Sequence, residues 1–462
     1  MSARVAVICL GDSCYPSASV GESVLSFGHC CLPGSPMPPV VPKIVLHKRT
    51  AKKAGGSTCV DLFAGAGGLA AGFRDAGWAI LAANDADADA AETFRLNFPE
   101  ASFFHGPISK LKAKDILNEC GLRKGQLDCL IGGPPCQSFS YNNHQRSADD
   151  ERAGLFRHYL RLVKELKPKM LVMENVPGIL TIGNNSVIAE IAKKLSRLGY
   201  DIAVRVLSAE EFGTPQVRRR VFIVASRVGK AAALLPKPSH RPAPGVRRPE
   251  ADDKEQQRGR AHTVTVEQAI GDLPVLRSGG GKIPGVPLKR KAKSSYQRKA
   301  RGRIRSIHNH ICHALTEPML ARISHVPEGG NWRNIPFRLL PAGMQRAEPN
   351  DHTKRYGRLS RKGHASTLLT KCDPHWGAYI HPTQQRTISV REAARLQGFS
   401  DSFIFAGSSL GAHYTQVGNA VPVPVARAVG TAALSHIESR RRKAKSKSSG
   451  TRRKAARRRV RH

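Results

Sequence analysis

From Thr58 onward, short apolar runs alternate with segments of helical spacing, and this alternation restricts the possible folds more than any other feature of the chain. The apolar runs predict strands at Cys59 to Phe63, Ala79 to Ala83, Leu127 to Ile131, Met170 to Met173 and Val221 to Ala225. Between them, apolar side chains recur every three or four residues, which is typical of helices packed on one face. Strands that alternate with helices form a parallel sheet with crossover helices, so the sequence predicts an α/β fold.

A glycine-rich turn, Gly65-x-Gly67-Gly68, follows the first predicted strand, and the acidic Asp85 follows the second. In doubly wound folds this combination holds a nucleoside, because the glycines permit close backbone approach and the carboxylate reaches the ribose hydroxyls. The Gly-x-Gly-x-x-Gly pattern of dinucleotide-binding dehydrogenases is absent from this turn. A nicotinamide-dependent oxidoreductase is therefore a distant alternative.

The third feature is the turn that presents Cys136, in the stretch Gly132-Gly133-Pro134-Pro135-Cys136. Paired glycines and prolines end a buried strand abruptly and restrain the following loop. A thiol held at a strand end and open on its loop side suits a nucleophile, although a free cysteine taken alone is more often a small buried apolar residue.

Glu174 ends the next strand, so a parallel sheet would bring it to the same crevice as Cys136. Arg218 and Arg220 alternate and share one face of a later strand.

The formal net charge of +39, from 74 Lys+Arg against 35 Asp+Glu, indicates a polyanionic partner, since such an excess favours counterion release from nucleic acid. An anionic membrane surface is the weaker alternative, and no apolar run has the length needed to span a bilayer. The ten cysteines contain no Cys-x-x-Cys pair, so neither a metal site nor a disulfide framework is expected. A reducing compartment, the cytoplasm or its nucleoid, fits this cysteine usage.

Composition also divides the chain. Residues 1–56 are expected to be disordered, or an N-terminal extension ahead of the natural start, with a proline-rich stretch from Pro33 to Pro42. Residues 282–305 carry ten Lys/Arg and no acid, and the last 24 residues carry thirteen Lys/Arg and no acid. A solvated charge run is the usual explanation for such stretches, and a DNA-facing surface is the alternative favoured by their neighbours. The tail, residues 439–462, is predicted to be disordered and to hold nucleic acid loosely.

Several motifs in order carry a resemblance to one family: the glycine turn within Thr58 to Leu69, the Cys136 turn, Glu174-Asn175-Val176, Gln216 to Arg220, Arg386 to Phe399 and Gln416 to Pro422. Together they closely resemble the DNA (cytosine-5) methyltransferase family. The resemblance implies a Rossmann-like doubly wound α/β sheet that uses S-adenosylmethionine, plus a smaller, irregular target-recognition domain. It assigns residues 57–230 to the catalytic and cofactor-binding domain, 231–360 to target recognition and 361–438 to a return segment that completes the catalytic domain.

The same resemblance implies the site chemistry. Cys136 would be the nucleophile, Glu174 would pair with N3 and the exocyclic amine of cytosine, Arg220 would contact O2, and Arg218 would hold the cysteine loop or the cofactor-side charge. Implied cofactor-binding residues are Phe63, Gly65, Gly68, Asp85, Ile108, Gly133, Pro135, Leu155, Asn419 and Val421. One departure concerns Pro107, which stands where the family commonly has an aspartate that contacts the adenine amine.

The expected substrate is duplex DNA and the expected product is 5-methylcytosine, with the target base flipped out of the helix. A tRNA cytosine-5 methyltransferase of the same fold is one alternative, but the Cys-Phe-Thr cluster of that subfamily is missing from the recognition region. A catalytically silent DNA-binding protein is another, and it would need none of Cys136, Glu174 and Arg220. A monomer is expected, with a cognate restriction endonuclease as a candidate partner.

Overall fold

The computed structural model describes residues 56–135, 154–181, 186–241, 258–283, 285–348 and 350–459, with side chains for all of these except 186 and 444–459. Residues 1–55, and with them nearly all of the predicted N-terminal extension, lie outside the described part of the chain. Cys136 and the loop that follows it also lie outside. Within the described ranges, no helix combines the length and the apolar composition needed to cross a membrane.

A seven-stranded sheet forms the centre of the described chain, with strand order β3-β2-β1-β4-β5-β7-β6. Its strands are β1 Thr58–Leu62, β2 Ala79–Asp85, β3 Ser102–His105, β4 Cys129–Gly132, β5 Met170–Asn175, β6 Asp201–Ser208 and β7 Arg219–Ser226. Strands β1 to β5 pair in parallel, whereas β7 runs antiparallel to both β5 and β6. The predicted α/β fold is confirmed, with one reversed strand near the edge.

Helices cover both faces of this sheet: α1 Gly68–Asp75, α2 Ala88–Asn97, α3 Ala113–Cys120, α4 Leu155–Leu166 and α5 Ser186–Arg197. Alternate strand residues face opposite sides, so Cys59 belongs to one buried cluster and its neighbour Val60 to the other. Phe73 of α1 lies in the first cluster, and Leu160 of α4 and Ile191 of α5 lie in the second. The sheet is therefore the middle layer between two apolar cores.

Between the sheet and the C-terminal helices, the described residues form short elements: α6 Val266–Ile270, β8 Gly281–Lys282, β9 Val286–Pro287, α7 Ser295–Arg301, β10 Ser306–Ile307, β11 His310–Ile311 and α8 Glu317–Ser324. Strand β9 pairs with β10 and β8 pairs with β11, both antiparallel. A separate small core gathers Ile323, Trp332, Tyr356 and Ile380. This part of the chain is irregular, as the resemblance implies, but the predicted boundaries at 231 and 360 remain predictions.

Three helices follow: α9 Val390–Leu396, α10 Leu410–Asn419 and α11 Val423–Arg459. Helix α9 begins with a capping box, in which the Ser389 hydroxyl accepts from the Glu392 amide and the Glu392 side chain accepts from the Ser389 amide. Helix α11 continues to Arg459, through residues of the tail that the sequence predicts to be disordered. Alanine, lysine and arginine favour helix, and Ala433 and Ile437 anchor the preceding turns in the core.

Arg395 on α9 joins two parts of the chain through a buried ion network. Its guanidinium donates to Asp272 at 2.5 Å and to Asp401 at 2.8 and 2.5 Å, and all three side chains are fully buried. Arg301 of α7 also pairs with Asp272. Because Asp272 follows α6, the network ties residues near α6 and α7 to α9.

Replacing Arg395 with methionine should lower the free energy of unfolding by about 3–5 kcal/mol, because it leaves two carboxylates buried with less compensation. Urea unfolding followed by circular dichroism would measure this change. Arg361→Met removes an exposed pair with Glu328 and should change stability by less than about 1 kcal/mol. If both variants lost equally little free energy of unfolding, the buried network would not contribute the stability proposed here.

Candidate active site

The carboxyl ends of β1, β2, β4 and β5 meet at one edge of the sheet, and the glycine turn after β1 is built there. Phe63, Gly65 and Gly67 have φ angles of 55°, 53° and 94°, a backbone region that favours glycine. The Gly65 amide donates to Asp85 Oδ2 at 2.7 Å, and the Ala64 amide donates to the Asn84 carbonyl at 3.0 Å. The turn after β1 is thus fixed by the end of β2.

Asp85 lies where the sequence places it, at the end of β2, and it is already engaged. Its Oδ1 accepts from the Asp87 amide at 2.9 Å while its Oδ2 holds the Gly65 amide. Burial raises the pKa of Asp85, although the Asp87 and Gly65 amides oppose that shift. A ribose at this position would therefore meet a carboxylate that is oriented by the turn itself.

Asp61 is a buried carboxylate that the sequence reasoning did not single out. It lies in β1 with no exposed surface, and neither carboxylate oxygen has a hydrogen-bond partner among the described residues. Burial, and then the charge of Asp85, raise its pKa well above the usual value, with the nearby Ala70 amide opposing. The available signal was an acid inside an otherwise apolar strand, next to the glycine turn.

The far end of the chain returns to the glycine turn. A Cβ on Gly68 would lie 2.8 Å from the Val421 carbonyl oxygen and 3.1 Å from the Ala420 Cβ, so the two segments touch. Asn419 ends α10 and is exposed beside this contact. The structure therefore brings Gly68, Asn419 and Val421 together across more than 350 residues of sequence.

Two further residues implied in cofactor binding, and the departure at Pro107, lie around the same edge. Ile108 is buried just after β3, and Leu155 is half-buried at the first position of α4. Pro107 is exposed, and Asn84 orients the turn before it by donating to the Phe104 and Gly106 carbonyls at 2.8 and 2.9 Å. Pro107 has no amide hydrogen and no side-chain acceptor, so it offers an adenine amine only its carbonyl.

The loop leading to Cys136 is held against the end of β5. Asn175 donates to the Pro134 carbonyl at 2.9 Å, and a Cβ on Gly133 would lie 3.1 Å from Glu174 Oε2. Pro135 is half-buried and is the last described residue before the loop. The position of the Cys136 thiol itself lies outside the described residues.

Glu174 and Arg220 form a buried ion pair at this edge. Arg220 Nε lies 2.9 Å from Glu174 Oε1, and the two side chains are 15% and 11% exposed. The pairing register sets Glu174 opposite Phe222 on the antiparallel β7, so the start of β7 lies beside the end of β5. Burial raises the pKa of Glu174 despite the opposing charges of Arg220 and Arg218. Glu174 is therefore easier to protonate here than a glutamate in water.

Arg218 links two other segments and does not bond to Glu174 within the described residues. Its guanidinium donates to the Leu368 and Gly418 carbonyls, each at 2.7 Å, and its Nε is buried without a hydrogen-bond partner in the same part of the chain. Burial, and then the charge of Arg220, lower its pKa well below the usual value. This geometry gives Arg218 a positioning role between residue 368 and the end of α10.

No group of three or more metal-ligating side chains occurs among the described residues. The polar groups at the edge are instead carboxylates, guanidinium groups and backbone amides, which suit an organic cation and a heterocyclic base.

Replacing Gly68 with alanine should weaken binding of S-adenosylmethionine at least about tenfold, because the new methyl group meets the Val421 carbonyl and pushes the segments apart. Isothermal titration calorimetry would measure the affinity. Gly343→Ala is the matched control, since nothing lies within 4 Å of the added atom, and it should bind like the wild type. Unchanged affinity in a folded Gly68→Ala protein would contradict the proposed pocket.

Comparisons with known proteins agree on one family. The family model described as C-5 cytosine-specific DNA methylase matches residues 57–435. Type II methyltransferase M1.HphI of Haemophilus parahaemolyticus is 32% identical over 379 residues, covering 82% of this chain and 86% of the relative. Type II methyltransferase M.AgeI of Thalassovita gelatinovora is 31% identical over 430 residues, covering 80% and 97%.

Longer relatives and a solved structure point the same way. DNA (cytosine-5)-methyltransferase PliMCI of Paracentrotus lividus is 30% identical over 80% of this chain, which spans only 28% of that relative's length. A solved structure described as a DNA modification methyltransferase encoded within a prophage (E. coli) superposes with a TM-score of 0.60 at 26% identity, covering 81% of this chain and 98% of that one. The chain belongs to the C-5 cytosine-specific DNA methylase family.

Proposed function

We propose that the protein transfers a methyl group from S-adenosylmethionine to carbon-5 of a cytosine in a specific duplex DNA sequence, through a covalent Cys136 adduct with a flipped-out base. Family membership supports cytosine methylation of DNA and the use of S-adenosylmethionine. The observation that carries the proposal is the buried Glu174–Arg220 pair, which lies beside the strand that leads to Cys136.

The chemistry requires that carbon-5 be made electron-rich. In the proposed step the Cys136 thiolate bonds to carbon-6, and the ring electrons move toward carbon-5 while Glu174 supplies a proton at N3. Arg220 donates to O2 and stabilises the charge that develops there. S-adenosylmethionine, when bound, supplies an electrophilic methyl group for carbon-5. A solvent base then takes the carbon-5 proton, the thiolate leaves carbon-6, and N3 returns its proton to Glu174, which restores both Cys136 and the acid.

The described residues fit this donor. Its sulfonium and ammonium groups are positive, and their charge would favour the ionised forms of Asp61 and Asp85, the two acids beside the glycine turn. The positive φ angles of Gly65 and Gly67 turn the backbone there, which suits close approach of a nucleoside. Residues Phe63, Ile108, Leu155 and Val421 provide apolar surface around the same edge.

The ion pair gives Glu174 two states. While Arg220 bonds to Glu174, the arginine charge favours the carboxylate. When a cytosine enters and draws Arg220 to its O2, that bond weakens and burial then favours the protonated carboxyl. Base binding would thus itself prepare the acid that N3 needs.

Base flipping and sequence readout involve other segments. The loop after Cys136, through Asn142 to Gln145, lies outside the described residues. We assign target recognition to residues 231–360, where the small core that contains Trp332 supports an irregular surface with Phe337 65% exposed. Since two relatives are named type II methyltransferases, we also propose a cognate restriction endonuclease as a functional partner.

Replacing Cys136 with serine should abolish methyl transfer while folding and DNA binding persist, because the weaker nucleophile no longer adds to carbon-6. The assay is transfer from labelled S-adenosylmethionine to unmethylated duplex DNA, with tRNA in parallel, followed by base-resolution mapping of 5-methylcytosine. Cys120→Ser, on α3, is the control and should keep full activity. Transfer to tRNA alone, or persisting transfer by Cys136→Ser, would overturn the proposal.

Replacing Glu174 with glutamine should slow methyl transfer by about 10²–10⁴-fold, since an amide donates a hydrogen bond but no proton. Burial raises the pKa of Glu174, which extends the supply of the proton for N3 to higher pH. Where Cys136 is fully in the thiolate form, the wild-type rate should fall as rising pH removes that proton, and the variant should lack this decline. Single-turnover rates across pH measure both effects. Glu190→Gln, whose carboxylate pairs with Arg157 on the surface, should leave rate and profile unchanged. If Glu174→Gln kept the wild-type dependence of the rate on pH, Glu174 would not be the acid.

A further inference from the structure

Helix α11 begins at the catalytic edge of the sheet. Val421, two residues before it, touches Gly68 in the turn after β1. The helix then packs along α1, and the Trp78 indole donates to its Gly430 carbonyl at 2.8 Å. The first turns of α11 therefore start where the cofactor and the base are proposed to bind.

The helix reaches the opposite edge about five turns later. His436 Nε2 lies 3.3 Å from the hydroxyl of Ser226, the last residue of the reversed strand β7. Arg441 donates to Ser57 Oγ at 3.1 Å and to Asp128 Oδ2 at 2.7 Å, and these residues immediately precede β1 and β4. The 18 residue steps from Val423 to Arg441 span about 27 Å at the helical rise. Arg441 thus lies at the amino ends of the parallel strands.

Asp128 fixes this exit point. It accepts from the Thr58 amide at 2.9 Å and from Lys169 at 2.7 Å in addition to Arg441. Although burial opposes them, these donors together lower the pKa of Asp128, so it remains a charged anchor at ordinary pH. The part of α11 from Arg441 to Arg459 consequently leaves the protein from the edge opposite the candidate active site.

The residues that leave there are strongly basic. Residues 444–462 carry nine Lys/Arg and no Asp or Glu. The backbone is helical as far as Arg459, and a helix advances only about 1.5 Å per residue, which limits how far the tail reaches back. Duplex DNA has a persistence length of about 150 base pairs, so a short duplex held in the cleft does not curve round to the far edge.

We infer that residues 444–462 bind the phosphate backbone of a second DNA segment, separate from the duplex in the catalytic cleft. The inference rests on the proposed function, because it takes the cleft to be the place of the substrate duplex. Binding at the far edge does not depend on the DNA sequence, since cations that contact only phosphates do not contact the base edges in the grooves. The protein then joins two stretches of DNA, one chosen by sequence and one by charge.

A bridging assay tests this directly. The full-length protein is bound to an immobilised 20-base-pair duplex that contains its methylation site, and a fluorescent duplex of equal length without the site is added. Full-length protein should retain the second duplex. Two variants should lose that retention at least tenfold: a chain ending after Lys443, which keeps Arg441 on Asp128, and a full-length chain with the nine Lys/Arg replaced by glutamine.

Binding to a single site-containing duplex is the control, and both variants should match the wild type there. On DNA of several thousand base pairs, the slope of log affinity against log salt concentration should become shallower by several units in both variants, since each phosphate contact contributes about 0.9 to that slope.

Equal losses of binding on the short site duplex would place the tail in the cleft and overturn the inference. No loss in either assay would make the tail a solvated charge run. Because retention is measured without methyl transfer, an inactive protein that still bridges two duplexes would refute the proposed function alone.

Discussion

The antiparallel pairing of β7 with β5 is the constraint on which the candidate site depends. In a parallel arrangement, the start of β7 would lie at the amino ends of the strands, about five residues away from Glu174 along the sheet. The reversal sets Val221 opposite Asn175 and places Arg220 within 2.9 Å of the Glu174 carboxylate. Burial of that pair then makes the carboxyl group easier to protonate than a surface glutamate. Strand direction therefore supplies the arginine partner of Glu174, and burial raises the pKa of this carboxyl group.

A second constraint is the return of the chain end to the first strand. Gly68 has no side chain because the Val421 carbonyl occupies the space where a Cβ would lie, and Gly72 is crowded in the same way by Ala426. The contact between α1 and α11 therefore requires small residues on α1. Arg218 adds to this closure by bonding the Leu368 and Gly418 carbonyls, which joins the segment before α9 to the end of α10. The cofactor side and the base side of the site are thus held by the same late part of the chain.

Much of the sheet could be predicted from the sequence, because β1, β2, β4 and β5 are continuous apolar runs bounded by turns. Strands β3 and β6 could not, since Ser102 to His105 and Asp201 to Arg205 carry polar residues on the half-exposed outer strands. The direction of β7 was also hidden, because hydrophobic periodicity reports burial and not orientation. Asp61 and the Asp272–Arg395–Asp401 network depend on contacts between distant segments, so single-chain patterns show the residues but not their partners. The positions of Glu174 and Arg220 were predictable; the bond between them was not.

The two edges of the sheet separate two kinds of DNA contact, and this separation has an energetic consequence. Contacts between a basic tail and phosphates contribute the same free energy for every sequence, so they cancel when two target sites are compared. Discrimination between sites then depends only on groups in the cleft, where a wrong base leaves polar atoms unpaired. If the tail emerged at the catalytic edge, its nine cations would also hold incorrect duplexes in the cleft and compete with readout. Anchoring Arg441 of α11 on Asp128 lets charge prolong residence on DNA without lowering the selectivity of the site.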